Sequence, residues 1–396
     1  MPTKNDSMTS DAASLLAASS ELISKYDIIT LPESANYECQ DTLNVLLHAA
    51  TSSTNSLESA SNDLQRQNHD LRIPSADTIF NYIKENKIED ILSSFRKMNL
   101  NIFKIMKLEN NIHDIAIDFH DISYYGDKNT PGIRGIKLKN GSSWGKSFCT
   151  LDIIGTSHLT LDVIDINSLN KNYSLFIESL FTRLKTIGVK TGTSYLDKEF
   201  FNTDVISKLN ELKVNFVIAA KSNPVINREL KNYQKECGNT STIFKYRFQK
   251  GGPSFNVVAI YNDKKKKYLL FATNKKAESI EKFEKMIPEE YRKRWNIETG
   301  YRVKNDFKIR SCTKSPVARV LFFIIQCIMY NVLNMLKSVL EITAYELKSL
   351  INEDINKAVR YGLKSLNIIP IYVLLDCLRW FNEERNRVLR TRLTII

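Results

Sequence analysis

The stretch YRKRWNIETGYRVKNDFKIR, residues 291–310, says more about this chain than any other segment. Gly300 is its only helix breaker, and Pro288 just before it favours a helix start, so we predict one long helix. At about 100° per residue, one stripe of that helix carries a tyrosine, two arginines and a carboxylate: Tyr291, Arg294, Glu298 and Arg302. This pattern suits a site where the acid holds a metal ion and the cations hold phosphate oxygens.

The same stretch also fits an ordinary solvated helix. A surface helix often carries i,i+4 ion pairs, and Glu298 with Arg302 has that spacing. The choice between the two interpretations therefore depends on the rest of the chain.

The composition favours a globular protein with a polyanionic partner. The chain has 396 residues, enough for roughly two or three domains, and 43% of them are hydrophobic. The net charge is +12. Residues 1–75 carry ten acidic and four basic side chains, so the remaining residues carry a net charge of +18. We expect this basic part to form the nucleic-acid-binding surface.

Cysteine usage and hydropathy predict a cytoplasmic, nucleoid-associated protein. The six cysteines show no CxxC or Cys/His pairing, which favours reduced thiols over a zinc site. The first residues lack the charged and apolar regions of a signal peptide. Residues 320–336 are apolar but shorter than the ~20 residues of a membrane span, and Gln326 and Asn331 interrupt them. We expect a buried core helix there and no membrane partner.

Residues 1–110 are predicted to form a helical region. Pro74 and Ser75 mark a helix start, with Ser75 as the N-cap. The predicted helices cover residues 11–26, 41–50, 56–68, 76–84 and 88–107. The third and fourth of these helices fit either a helix-turn-helix, whose second helix enters a DNA groove, or a plain helical bundle.

From residue 111 the pattern becomes that of a mixed α/β sheet. Its predicted order is β-β-β-α-β-α-β. The strands cover residues 114–119, 144–154, 158–166, 190–196 and 214–220, and the helices cover residues 174–187 and 199–212. We assign residues 111–222 to the first part of this core, 288–340 to its completion and 341–396 to a C-terminal helical region. The last two parts include helices at 317–339, 343–359 and 369–384 and a basic tail.

Residues 223–287 are predicted to form an antiparallel, β-rich insertion. Its strands cover residues 243–248, 255–261 and 268–272. The four lysines at 264–267 form either a solvated hairpin tip that discourages edge pairing or a contact for phosphates.

Three acids occupy the ends of predicted elements. Asp118 ends the first strand, Asp197 ends the fourth, and Glu298 lies on the long helix. Reactive groups of α/β sheets gather at strand ends, and three carboxylates gathered there repel one another unless cations neutralise them. Two Mg²⁺ or Mn²⁺ ions with oxygen ligands would neutralise them and support an in-line phosphoryl displacement.

Simpler interpretations of the same acids remain open. Asp121 is a second candidate ligand three residues after Asp118, although strand register favours Asp118. His120 assists the site or serves only as a polar surface residue. Asp197 is a metal ligand or only an N-cap for the helix that follows it.

Three segments together resemble the DDE transposases of insertion sequences. They are DFHDISYYG at 118–126, YLDKEFF at 195–201 and YRKRWNIE at 291–298. The most similar subgroup carries a Y-x2-R-x3-E-x6-K signature and includes archaeal members. The resemblance extends over about residues 112–340, and residues 1–110 resemble the region of this family that binds element ends.

This resemblance implies a ribonuclease H-like core interrupted by a β-rich insertion between the second Asp and the Glu. It implies that Asp118, Asp197 and Glu298 are catalytic and bind two metal ions, and that Tyr291 and Arg294 contact DNA phosphates. Asn305 stands where the signature has lysine. Its nearby substitutes are Arg302, Lys304 and Lys308, which we also assign to DNA binding.

The expected function is that of a DNA transposase. Such a protein binds the terminal repeats of its element as double-stranded DNA, cleaves a strand with metal-activated water and joins the 3′-hydroxyl to target DNA. Pairing of two ends implies a homodimer in the synaptic complex. The alternatives are a ribonuclease H-like nuclease without strand transfer and a catalytically inactive, transposon-derived DNA-binding protein.

Overall fold

The structure is a computed structural model. The structure describes residues 28–68, 73–155, 157–166, 172–248, 251–276, 280–337 and 343–360. The chain divides into two compact units. Unit 1 consists of Met1–Leu108, Asn129–Pro131 and Arg302–Ile396, and unit 2 consists of Glu109–Lys128 and Gly132–Tyr301. The predicted helices at 11–26 and 369–384 and the basic tail lie outside the described residues.

Unit 1 is helical in the residues described. Its helices are α1 (Cys39–Thr51), α2 (Leu57–Gln67), α3 (Ala76–Lys84), α4 (Ile88–Ile105), α10 (Pro316–Lys337) and α11 (Ala344–Arg360). As predicted, Ser75 caps α3, because its side chain accepts a hydrogen bond from the backbone N–H of Thr78. Ser56 caps α2 in the same way, through the N–H of Ser59.

Helix α10 forms much of the core of unit 1. Phe80 of α3 meets Phe322 edge to face, and the buried amide of Asn331 donates to Asn99 Oδ1 at 2.8 Å. Among the described residues, α10 is the one helix long and apolar enough to span a membrane by length and composition. Within the most apolar part of α10, 83% is buried in the protein. Asn331, one of the two polar residues that interrupt the apolar run, thus has a partner inside the fold.

Unit 2 is built on one sheet of nine described strands. The strands are β1 (Ile112–Ser123), β2 (Arg134–Lys139), β3 (Ser142–Ile154), β4 (Leu159–Ile166), β5 (Lys190–Leu196), β6 (Asn215–Ala219), β7 (Thr242–Tyr246), β8 (Phe255–Asn262) and β9 (Lys267–Thr273). The helices are α5 (Tyr173–Thr186), α6 (Thr203–Glu211), α7 (Pro224–Cys237), α8 (Ile280–Arg292) and α9 (Trp295–Asp306). Helix α9 contains the division between the units, which falls after Tyr301.

The strand order confirms the predicted ribonuclease H-like mixed sheet. Strands run in the order β2-β3-β1-β5-β6-β9-β8-β7, and β4 also pairs with β3. Strand β3 is antiparallel to β1 and β4, whereas β1, β5 and β6 are mutually parallel. An antiparallel meander is therefore joined through β1 to two parallel strands, and helical crossovers supply the parallel connections.

Both faces of the sheet are covered. On one face, Phe119 of β1 stacks on Phe200 with ring centroids 4.5 Å apart. On the other face, apolar side chains of α8 and α9 pack against the strands, and they include Phe283, Ile287 and Ile297. Each large apolar side chain buried in this way contributes about 1.5–3 kcal/mol, so α8 and α9 are held firmly to the face of the sheet that bears Asp118.

Three features of unit 2 differ from the predictions. Strand β2 and helix α7 were not predicted, although Asn223 and Pro224 form a recognisable helix start. The strands of the predicted insertion are antiparallel, but β9 pairs with β6, so they extend the central sheet and do not form a separate one.

The predicted single helix over 291–310 is wrong. Helix α8 begins at Ile280 and contains Pro288 in its interior, and a second helix, α9, begins at Trp295. Between them, the backbone N–H of Arg294 bonds to the carbonyl of Tyr291, and that of Ile297 bonds to the carbonyl of Arg294. These i to i−3 bonds tighten the chain into a turn. The sequence from Tyr291 to Ile297 contains no glycine or proline that would have indicated it.

Candidate active site

Register places Asp118 beside Asp197. The parallel pairing of β1 with β5 ends at the pair Ile117 and Leu196, and Asp118 and Asp197 are the residues that directly follow them in the chain. Neighbouring strands lie about 4.8 Å apart, so the two positions are adjacent. The prediction that Asp118 ends its strand is wrong, because the antiparallel pairing of β1 with β3 continues to Ser123. It lies where the parallel pairing stops.

Arg294 connects Asp118 to Glu298. Its Nη1 donates to Asp118 Oδ2 at 2.9 Å, and its Nη2 donates to Glu298 Oε1 at 2.6 Å. The Arg294 and Asp118 side chains are only 9% and 12% exposed, whereas that of Glu298 is 36% exposed. The guanidinium is therefore a buried bridge between a carboxylate of the sheet and one of α9.

The electrostatics of this cluster are unbalanced. Burial raises the pKa of Asp118 to about 7. The negative charges of Asp197 and Glu298 act in the same direction, while the Arg294 guanidinium opposes them. Burial disfavours the charge of Arg294, but Tyr291 and the surrounding carboxylates outweigh burial and raise its pKa, so the guanidinium stays protonated. Three carboxylates face one buried cation, which leaves an excess of negative charge.

Tyr291 supports this arrangement from the end of α8. Its buried hydroxyl donates to the backbone carbonyl of Leu196 at 3.0 Å. Its ring lies under the guanidinium of Arg294, 5.5 Å from ring centroid to Cζ. The hydroxyl thus connects α8 to the residue that directly precedes Asp197, and the ring positions the arginine.

The structure places the three residues whose roles the sequence left open: Asp121, Asp197 and His120. Asp121 accepts a hydrogen bond from the hydroxyl of Ser147, and alternation along β1 places it on the sheet face opposite Asp118. Asp197 makes no side-chain capping bond to the short turn that follows it. His120 stacks on Tyr301 with ring centroids 4.3 Å apart. The structure therefore brings together Asp118, Arg294 and Glu298, with Asp197 in the adjacent register.

The other predicted DNA contacts belong to unit 1. Arg302 is exposed, as is Asn305, the residue at the position of the signature lysine, and Lys308 is partly exposed. Lys304 is 1% exposed, and its Nζ lies 4.8 Å from the ring centroid of Tyr330. Because Lys304 is buried against that ring, a DNA phosphate cannot reach its ammonium group, so its assignment to DNA binding is not supported.

The donor chemistry at the cluster fits hard divalent cations. Asp118, Asp197 and Glu298 offer only carboxylate oxygens, the ligands that Mg²⁺ and Mn²⁺ prefer. Their excess negative charge also calls for a counter-ion. Within the described ranges, no three His, Cys, Asp or Glu side chains are gathered closely enough to form a ready metal site. Arg294 instead binds two of the three carboxylates.

Sequence reasoning missed a set of polar residues behind the acids. Tyr301 of α9 contacts Thr150 of β3, which in turn contacts the buried carboxylate of Asp152. Tyr301 and Thr150 are far apart in sequence, and a threonine in a strand is ordinary. The one available signal was the position of Tyr301 three residues after Glu298.

Fold and site together define the class of protein: a ribonuclease H-like core with two carboxylates where its parallel strand pairing stops and a third on a helix beside them. Residues 170–332 match the family model described as Transposase DDE domain. That segment contains Asp197 and Glu298 and begins after Asp118. A search of curated protein sequences found no match.

A solved structure supports the same class. The chain is similar to a piggyBac transposase whose synaptic complex with hairpin DNA was determined by cryo-electron microscopy. The TM-score is 0.56 at 15% sequence identity, over 92% of this chain and 81% of the other. At this identity the likeness shows the fold alone. The family match and the fold support a DDE transposase, while the Y-R-E-K subgroup stays a prediction.

Proposed function

We propose that this protein is a DDE transposase that binds the ends of its own DNA element, cleaves them by metal-dependent phosphodiester hydrolysis and joins the resulting 3′-hydroxyl to target DNA. The observation that carries the proposal is the cluster in which Arg294 bridges Asp118 and Glu298 with Asp197 in the adjacent register. Two of these acids lie within the segment that matches the transposase DDE domain.

Asp118, Asp197 and Glu298 are the residues that would hold two divalent ions. Bound there, Mg²⁺ or Mn²⁺ would activate the attacking oxygen and stabilise the leaving oxygen of an in-line displacement. Asp118 is the buried anchor of the set, whereas Asp197 and Glu298 are partly exposed.

Charge balance explains why cations and DNA should bind together. Three carboxylates and one guanidinium leave an excess of two negative charges when all are ionised. A DNA phosphate does not approach such a surface unless cations neutralise it first. Uptake of two divalent ions reverses the sign of the local charge and makes the site attractive to the phosphodiester.

Arg294 has capacity for a phosphate ligand. Its two terminal nitrogens donate to carboxylates, while its buried Nε has no hydrogen-bond partner among the described residues. A guanidinium binds a phosphate through two parallel donors, so Nε and one terminal nitrogen form a suitable fork. Arg294 would then exchange a carboxylate for a phosphate oxygen near the cleaved end.

Other parts of the chain would serve the remaining steps: DNA binding, recognition of the element ends and pairing of two ends. The basic residues beyond residue 75 supply a surface for double-stranded DNA. The helical region over residues 1–110 is the proposed end-binding region, with the exposed Arg302 and the partly exposed Lys308 as further phosphate contacts. A homodimer would bring two element ends together.

The first experiment is cleavage of a labelled duplex that carries an end of the DNA element encoding the protein. Wild type and Glu298→Gln are compared in Mg²⁺, in Mn²⁺ and in EDTA. Glu289→Gln, an exposed glutamate on α8, is the matched control. We expect nicking that requires the metal, vanishes in Glu298→Gln and persists in Glu289→Gln.

Two other outcomes decide between the alternatives. Binding without cleavage by wild type indicates an inactive DNA-binding descendant. Cleavage without joining of a pre-cut 3′ end indicates a ribonuclease H-like nuclease. Cleavage that Glu298→Gln leaves intact removes Glu298 from the active site.

A further inference from the structure

A buried chain of hydroxyls lies behind the carboxylate cluster. Thr150 Oγ1 donates to Asp152 Oδ2 at 2.6 Å, and Thr160 Oγ1 donates to Asp152 Oδ1 at 2.6 Å. Thr150 Oγ1 also lies 2.6 Å from the hydroxyl oxygen of Tyr301. The single hydroxyl hydrogen of Thr150 is used toward Asp152, so Tyr301 is the donor and Thr150 the acceptor. The Tyr301 hydroxyl also donates, at the longer distance of 3.4 Å, to the backbone carbonyl oxygen of Asp118.

This chain is closed to solvent. Asp152 is 3% exposed, and Thr150 and Thr160 are fully buried. A buried carboxylate is stable only when donors satisfy it, so Asp152 holds both threonine hydroxyls in one orientation. That constraint leaves the Thr150 lone pair pointing at Tyr301, and the network as a whole becomes rigid.

The chain connects the two elements that carry the acids. Tyr301 lies three residues after Glu298 on α9, which is one turn along the same side of the helix. Thr150 is the residue of β3 directly opposite Asp118 in β1. The ring of Tyr301 also stacks on His120, on the Asp118 face of β1. One side chain therefore ties the Glu298 helix to the strand position across from Asp118.

We infer that Tyr301 is a positioning residue, which through Thr150 and Asp152 holds the Glu298 helix at a fixed place relative to Asp118. Arg294 does not serve this purpose during the reaction, because the proposed exchange to phosphate removes its bond to at least one carboxylate. The hydroxyl chain lies behind the acids and stays intact through that exchange. The inference rests on the proposed function for its consequence in metal binding, but not for its structural part.

The test compares four variants of the full chain with wild type. Tyr301→Phe removes the donor and keeps the ring on His120, and Thr150→Val removes the acceptor at nearly constant volume. Thr150→Ser keeps the hydroxyl and is the rescue variant. Tyr246→Phe is the matched control, because Tyr246 is another buried tyrosine of unit 2, whose hydroxyl accepts a hydrogen bond from Asn223.

Two readouts separate positioning from general stability. Hydrogen exchange of the α9 amides reports whether the helix is held, and calorimetric titration with Mn²⁺ reports whether the acids keep their spacing. We expect Tyr301→Phe and Thr150→Val to speed exchange at residues 297–301 and to weaken Mn²⁺ binding about tenfold, the usual cost of losing an outer partner of a metal ligand. Thr150→Ser and Tyr246→Phe should match wild type in both.

The outcomes are distinguishable from failure of the proposed function. If wild type binds no Mn²⁺, the proposed function is wrong, and the exchange data still decide whether Tyr301 positions α9. Unchanged exchange in both Tyr301→Phe and Thr150→Val overturns the positioning role. Faster exchange with unchanged Mn²⁺ affinity restricts the chain to stability and overturns its link to the metal ligands.

Discussion

Two buried groups of charged side chains in unit 2 differ in their balance of charge. On β3 and β4, Lys146 Nζ lies 2.5 Å from Asp165 Oδ1, with side chains 2% and 13% exposed. Gly132 closes over this pair, since a Cβ there would come within 2.8 Å of Nζ. One cation therefore faces one carboxylate in a closed setting.

The Arg294 cluster has similar burial but an excess of carboxylates. Asp118 and Glu298 share one guanidinium, and Asp197 adds a third acid in the adjacent register. The comparison separates two uses of buried charge in one sheet. A balanced, closed pair is a structural element, whereas an unbalanced and partly open cluster needs an additional cation and so indicates a binding site.

The strongest test of this difference removes charge from the Arg294 cluster and from the Lys146–Asp165 pair and measures DNA cleavage in each case. Asp197→Asn should lower the rate of metal-dependent nicking by at least about 10³-fold, because a lost ligand removes several kcal/mol of transition-state stabilisation. The double variant Lys146→Met, Asp165→Leu removes a whole neutral pair and should change the rate only a few-fold. Equal losses in the two proteins would show that the regions do not differ in function.

A change that removes one partner of the Lys146–Asp165 pair should affect the free energy of unfolding and not the cleavage reaction. Lys146→Ala leaves the Asp165 carboxylate buried without its cation and should lower the free energy of unfolding by about 3–5 kcal/mol. The double variant Lys146→Met, Asp165→Leu leaves no uncompensated charge and should unfold close to wild type in urea. A Lys146→Ala protein as stable as wild type would mean that the pair is solvated in solution.

The ionised Asp118 carboxylate should lower the free energy of unfolding, whereas the balanced Lys146–Asp165 pair should not. It ionises near its ordinary value of 3.8 in the unfolded chain, but burial raises the pKa of Asp118 in the folded protein to about 7. The folded state thus binds more protons between these values, and stability falls as pH rises through that window. Asp118→Asn removes this cost, so in EDTA at pH 8 it should stabilise the protein, by about 4 kcal/mol at most.

The measurement is urea unfolding in EDTA at pH 4 and at pH 8. The gain should be largest at pH 8 and nearly absent at pH 4, where Asp118 is neutral in the folded state. Asp263→Asn, an exposed aspartate between β8 and β9, is the control and should show no such pH dependence. A gain that is equal at both pH values would contradict the raised pKa.

These differences also show what the sequence could predict. Asp118, Asp197 and Glu298 were found because each is a polar residue at the end of, or beside, a regular element, and because Tyr291, Arg294 and Glu298 match a family signature. The strands β1 and β5 could be predicted from alternation and apolar runs. Their mutual register, which puts Asp118 beside Asp197, is a long-range property that the sequence does not display.

The missed features depend on tertiary contacts. The chain turns between α8 and α9 although its residues favour helix, because Tyr291 bonds to Leu196 and Arg294 to Asp118 at the same time. Tyr301 and Thr150 are 151 positions apart, so their contact leaves no local pattern. Lys304 resembles a DNA contact in sequence, and only packing against Tyr330 reveals that it is buried.

The smallest expected effect concerns competition between Arg294 and metal ions. The guanidinium binds two carboxylates that the ions would use, so Arg294→Met should free them and also increase their mutual repulsion. Calorimetric titration should then show Mn²⁺ binding about tenfold tighter than in wild type, a change of roughly 1.4 kcal/mol. Affinity for an end-bearing duplex should fall in the same variant, because the phosphate loses its guanidinium.

Arg292→Met is the control for this change, since Arg292 is exposed at the end of α8 and makes the same change in net charge. It should leave Mn²⁺ affinity close to wild type. Weaker Mn²⁺ binding in Arg294→Met would show that the arginine organises the acids for the ion and does not compete with it. In that case the cluster would resemble the Lys146–Asp165 pair more closely, as a preformed structural bridge, and the exchange of Arg294 from carboxylate to phosphate would have to be abandoned.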